Sequence, residues 1–287
     1  MLFLILVLAG IFAGILAGLF GIGGGLLFTP ILFMVFTSTG LENPTPWAIA
    51  TALFCTFTAS ISSSIQQRNE RNFHWREGVL VGLLGSFGVY FGRIIVTSSF
   101  YTEDVFVSFF SILLVIVAIL FYRRSRSDLT MQITNNSFGV PRAGFAGVFG
   151  GIIAALAGVG GGIVLVPIMN LVYKLKLSKA VSISSLAIVL ISLSGWLQYA
   201  LLSGTHQGLT AYTLGYVDFG SGLPLIIGAF GGGFLGVRIG HALDQKIVQI
   251  CFSVLILIIA TMMISSCLLY TSPSPRDQRG SRMPSSA

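Results

Sequence analysis

The chain has 287 residues, of which 54% are hydrophobic and 9% are charged, with a net charge of +7. A soluble domain carries about 25% charged residues, so a mean hydropathy of +0.92 excludes one and predicts an all-α, polytopic membrane protein. Three cysteines without Cys-x-x-Cys or Cys/His spacing give no disulfide framework and no metal site.

The first residues lack a basic leader and run directly into an apolar stretch, Leu2–Phe36, which reads as a retained membrane segment and not a cleaved signal. Inside it lies Gly21-Ile-Gly-Gly-Gly-Leu-Leu-Phe-Thr-Pro30. A second stretch, Ala143–Val172, holds Gly158-Val-Gly-Gly-Gly-Ile-Val-Leu-Val-Pro167, with Gly and Pro in the same register 137 residues later. Each Gly costs a helix about 1 kcal/mol relative to Ala, so each stretch is expected to be two helical pieces joined by bare backbone. Lipid tolerates such backbone only where protein or a water-filled cavity covers it. Paired breaks in two halves are the sequence pointer to a transporter site.

Six unbroken candidate spans complete the chain: Pro46–Gln66, Gly78–Thr97, Val105–Tyr122, Lys179–Leu202, Phe219–Leu243 and Ile247–Ser266. Two repeats of about four blocks follow, residues 1–122 and 143–266, separated by a polar linker at 123–142. Gly88 and Gly92 echo Gly232 and Gly236, and Gly228, Gly232, Gly236 and Gly240 form a smooth stripe for close helix contact. From Cys267 the chain turns Ser/Pro/Arg-rich, and Cys267-Leu-Leu-Tyr-Thr-Ser-Pro-Ser-Pro-Arg-Asp looks like a sequencing adapter read in frame. Residues 267–287 are therefore expected to be a non-native tail. Without its Arg276, Arg279, Arg282 and Asp277 the net charge is +5.

Positive charge argues the topology. If each broken segment crosses once, basic residues divide almost evenly between the two sides. If each enters and returns, 12 of the 13 basic residues before Cys267 share one side, and Arg93 alone lies toward the other. The second arrangement makes the halves inverted repeats with a cytoplasmic linker. A 35-residue helix over Leu2–Phe36 would also be about 52 Å long, too long for one crossing. The competing reading leaves Lys174–Lys179 in an external loop.

The candidate anion site is built on Gly21, Gly23, Gly24 and Gly25 with Thr29 and Pro30, and on Gly158, Gly160, Gly161 and Gly162 with Pro167. The helix after each break presents unpartnered N–H groups carrying a partial positive charge. Thr29 adds a hydroxyl that its counterpart Val166 lacks. The plain alternative is that these glycines only let helices pack. Arg93, inside an apolar helix, is a substrate candidate by its cost in lipid, or snorkels from a helix end. Thr51, Ser182 and Ser184 are the pathway candidates among a wider set that includes Thr56 and Ser192, although membrane hydroxyls often bond their own helix. Asp218 is the nearest approach to an embedded carboxylate. No Ser–His–Asp or His–carboxylate set is readable, so neither an enzyme nor a cofactor is expected.

Together the doubled Gly-x-Gly-Gly-Gly-x-x-x-x-Pro, the pair Ala48–Thr51 and Ala180–Ser184, and Gly215-Tyr-Val resemble the TauE/SafE family over residues 1–266. The resemblance implies export of sulfite or organosulfonates across the inner membrane. The partners it implies are a small anionic substrate and the lipid bilayer, with no nucleic acid; assembly into a homo-oligomer is compatible with it. An anion channel and a non-transporting membrane assembly protein are the alternatives.

Overall fold

A computed structural model of the chain describes residues 2–20, 25–69, 74–126, 139–175, 177–202, 208–242 and 245–271. These form α1 (Leu2–Phe20), α2 (Gly25–Ser38), α3 (Pro44–Asn69), α4 (Trp75–Val96), α5 (Glu103–Arg126) and α6 (Val140–Ala157). Then come α7 (Gly162–Pro167) with a π-helical turn at Ile168–Val172, α8 (Leu177–Ala200), α9 (Phe219–Ala242) and α10 (Gln245–Thr271). Four helices, Trp75–Val96, Glu103–Leu120, Val140–Ala157 and Lys179–Ala200, are long and apolar enough to cross a membrane. The fold is an all-α polytopic membrane bundle, as composition requires.

Helices extend beyond the boundaries that hydropathy alone draws. Helix α5 runs to Arg126 and α6 starts at Val140, so both enter the polar linker, while residues 127–138 lie outside the described residues. Helix α10 continues five residues past Ser266 to Thr271. Backbone hydrogen bonding propagates cheaply once a helix exists, so its end need not coincide with the end of the apolar run. Residues 272–287 lie outside the described residues.

Small residues set the packing. A β-carbon at Gly10 or Gly14 of α1 would fall on the Leu225 or Ala229 carbonyl of α9, and one at Gly228 or Gly232 of α9 on Val7 or Ile11 of α1. Numbers rise together on the two helices, so α1 and α9 run parallel. Helices α4 and α6 do the same: Gly85 and Gly88 meet Gly147 and Val148, and Gly92 meets Ile152 and Ala155. Close backbone approach of this kind is how membrane helices gain contact without a hydrophobic driving force.

Helices α3 and α8 cross at the centre, with α2 against α3 and α5 against α10. Large side chains point outward from the surrounding helices, among them Phe12, Phe87, Ile116, Phe145, Ile227 and Leu257. One end of the bundle is basic: Lys179 Nζ lies 3.6 Å from a Glu77 carboxylate oxygen, and Arg142 stands 6.0 Å over the Tyr173 ring. The other end carries a small antiparallel hairpin, Thr213–Leu214 with Val217–Asp218, turning at Gly215 with φ +55°.

Candidate functional site

Helix α6 stops at Ala157 because Gly158 takes φ +72°, and Gly160 and Gly161 stay left-handed at +67° and +79°. Only glycine adopts this conformation without strain, so glycine is needed at these three positions whatever the break does. The chain then re-forms a helix from Gly162. Pro167 removes an N–H from the ladder, and the helix widens into the π-turn directly after it. The return brings Tyr173 back beside Arg142, so Arg142–Tyr173 enters and leaves by the basic end.

Three of the last carbonyls of α6 are paired. Gly158 N–H donates to Ala154 O at 2.8 Å. The Tyr199 hydroxyl donates to Ala155 O at 3.2 Å, and the Tyr101 hydroxyl to Leu156 O at 2.9 Å. Tyr101 lies between α4 and α5, and burial pushes its phenol above the usual range, which keeps it protonated as a donor. These two tyrosines carry no sequence signal for the role, since each is remote in the chain from α6.

Glycines of the two motifs meet in the middle. A β-carbon at Gly25, the first residue of α2, would lie 2.7 Å from Val159 O and 2.7 Å from Thr56 Oγ1. One at Gly158 would lie 2.7 Å from Thr29 Oγ1, and one at Gly160 would lie 2.8 Å from Ser192 Oγ. Gly162 faces Ile188. Thr29 and Ser192 are fully buried, and neither hydroxyl oxygen has a hydrogen-bond partner among the described residues. Thr56 instead donates to Ala52 O at 2.8 Å. None of these side chains is charged, so the junction offers hydroxyl and backbone N–H donors and no acid or base.

Of the residues singled out in the sequence, Gly25, Thr29, Gly158, Gly160 and Gly162 are brought together. Pro30 is buried in α2 one residue beyond Thr29, and Pro167 follows the second break. Gly161 packs on Gly150 O of its own half. Gly21, Gly23 and Gly24 lie outside the described residues.

The other candidates lie apart from the junction. Thr51 Oγ1 accepts the Asp218 N–H at 3.0 Å, just before α9. Ser182 Oγ accepts the His74 N–H at 3.2 Å, just before α4. Ser184 donates to Val181 O at 3.1 Å, one turn before Ile188 on α8. Arg93 sits beside the last turn of α6, its Nη1 donating to Gln198 O at 3.4 Å and its guanidinium 5.3 Å over the Tyr90 ring. Asp218 is fully buried and occupied as a helix cap: its Oδ1 accepts from Ser221 N–H at 3.2 Å and from the Thr210 hydroxyl.

A family described as "Sulfite exporter TauE/SafE" matches residues 6–263. A probable membrane transporter protein of Methanocaldococcus jannaschii is 30% identical over 260 residues, covering 91% of this chain and 94% of that protein. YunE of Bacillus subtilis, a probable membrane transporter protein, is 27% identical over 285 residues, covering 91% and 97%. A probable membrane transporter protein of Haemophilus influenzae is 26% identical over 253 residues, covering 85% and 89%. No solved structure matches.

Proposed function

The chain belongs to the sulfite exporter TauE/SafE family, and from that premise we propose that it carries sulfite or small organosulfonates outward across the inner membrane, bound where the two glycine breaks meet. One observation carries the reading. Two fully buried hydroxyls, Thr29 from one half and Ser192 from the other, have no partner among the described residues at the junction of the halves. A buried polar atom without a partner costs about 1–3 kcal/mol, and a membrane-embedded one is tolerated best where a solute completes it. The N-terminal end of α2 adds N–H groups with a partial positive charge. Arg93 lies apart from the junction, beside the last turn of α6, and adds a full charge on that flank.

The halves are inverted repeats in this reading. Helices α1 and α2 approach the junction from the hairpin end, and α6 and α7 approach it from the basic end. Contacts match in kind: the first helix of each half packs on the last glycine-rich helix of the other. Hydroxyls of α3 and α8 cap the starts of α9 and α4 at opposite ends. Movement of one half against the other would expose the junction alternately.

The test is flux of radiolabelled sulfite into proteoliposomes of purified protein. Saturable uptake with counterflow is expected. Uptake that never saturates and shows no counterflow identifies a channel instead, and no flux at all removes the transport reading.

A further inference from the structure

One turn beyond Ser192 on α8, toward the hairpin end, stands Trp196. Residues four apart share a helix face, so the indole and the Ser192 hydroxyl open on the same side of α8. Its Nε1 is enclosed and has no acceptor among the described residues. Three rings hold it: Phe54 at 5.6 Å, Phe57 at 6.2 Å and Phe219 at 6.4 Å between centroids. Phe54 and Phe219 also contact each other edge to face at 5.0 Å. Phe54 and Phe57 stand on α3 within one turn of Thr56, whose hydroxyl borders Gly25. The rings pack around the indole one turn to the hairpin side of Ser192, and this cluster holds one side-chain hydrogen-bond donor.

An indole N–H donates and never accepts, and a buried one ordinarily finds a partner. The Thr29 and Ser192 hydroxyls and the Trp196 Nε1–H are thus three enclosed, uncharged donors without a partner among the described residues. We propose that Trp196 is a specificity-determining residue for the transported anion. Its N–H donates to an oxygen of the bound oxyanion, and the rings of Phe54, Phe57 and Phe219 fix the indole and limit the bulk the anion may carry on that side. The inference rests on the junction being the anion site.

Trp196→Phe keeps a ring in the cluster and deletes the donor. In proteoliposomes it is expected to raise the KM for sulfite about tenfold, as loss of a hydrogen bond to a charged group does, with kcat within about twofold of wild type. Adding sulfite should shift the protein's tryptophan emission saturably in wild type, and that component should vanish in Trp196→Phe. Phe54→Ala should raise flux of ethanesulfonate relative to sulfite. An unchanged KM in Trp196→Phe, with Thr29→Val still impaired, overturns the role of Trp196 and leaves the junction standing. A fall in flux that merely tracks the amount of folded protein, at constant KM, assigns Trp196 to packing and also overturns it. A wild type that carries neither sulfite, sulfate nor methanesulfonate removes the junction reading and Trp196 with it.

Discussion

Deleting a hydroxyl and deleting a glycine test different things at the junction. Gly158, Gly160 and Gly161 have left-handed backbone, so a side chain at any of them strains the fold before it can block a solute. Thr29→Val and Ser192→Ala remove polar atoms that have no partner among the described residues, so neither breaks a hydrogen bond seen there. Each is expected to raise the KM for the transported anion about 10- to 100-fold, corresponding to about 1.5–3 kcal/mol for a bond to charge. The melting temperature of the purified variants should not fall, and a drop of more than a few degrees would assign the hydroxyls to the fold. Tyr199→Phe and Tyr101→Phe work the other way. Each orphans a carbonyl at the end of α6 and should cost about 1–3 kcal/mol of stability, read as a lower melting temperature. Part of this was legible in the chain. The sequence marks Asp218 as the nearest approach to an embedded carboxylate, but its structural task, accepting from Ser221 N–H at the start of α9, shows only in the fold. Nothing in one sequence says that Tyr101 and Tyr199 reach α6, because that contact spans unrelated segments.

Glycine spacing on α9 identifies the face that meets a neighbour but not the neighbour. Gly232 lies against Ile11 of α1, whereas Gly231 has open space around it. Gly232→Leu should therefore abolish accumulation of folded protein in the membrane, since overpacking against backbone has no side chain to move aside. Gly231→Leu, next door, should accumulate normally. Equal loss from both would mean that helix flexibility, and not close approach, is what the glycines supply. The motif located the second break from sequence, because Gly-x-Gly-Gly-Gly cannot sit comfortably in helix, whereas residues 21–24 of its first copy lie outside the described residues. The exchange of first helices, α1 onto α9 and α6 onto α4, was not legible. Each glycine stripe is complementary to any other smooth stripe, and only the assembled bundle selects among them.

Across the whole molecule, charge and fold make one joint statement about sidedness. Arg142 and Lys174 lie at the basic end, and Tyr212 is exposed at the hairpin end. In a background without native cysteines, Arg142→Cys and Lys174→Cys should resist a membrane-impermeant thiol reagent in intact cells, while Tyr212→Cys reacts. Labelling of Lys174→Cys with protection of Arg142→Cys would make the second broken segment a single crossing. The exchanged packing also has a consequence in time. Chains emerge from the ribosome at about 5–20 residues per second, and α9 begins about 200 residues after α1 ends. Helix α1 therefore waits on the order of 10–40 s in the bilayer for the surface it is shaped to fit. Helix α6 waits for nothing, since α4 precedes it. Helix α1 is suited to the delay: it contains no charged residue and no hydroxyl, so its unmatched face meets lipid without an unsatisfied side chain. A chain interrupted between the halves would leave α1 without its partner indefinitely, and the first half alone becomes a substrate for membrane quality control.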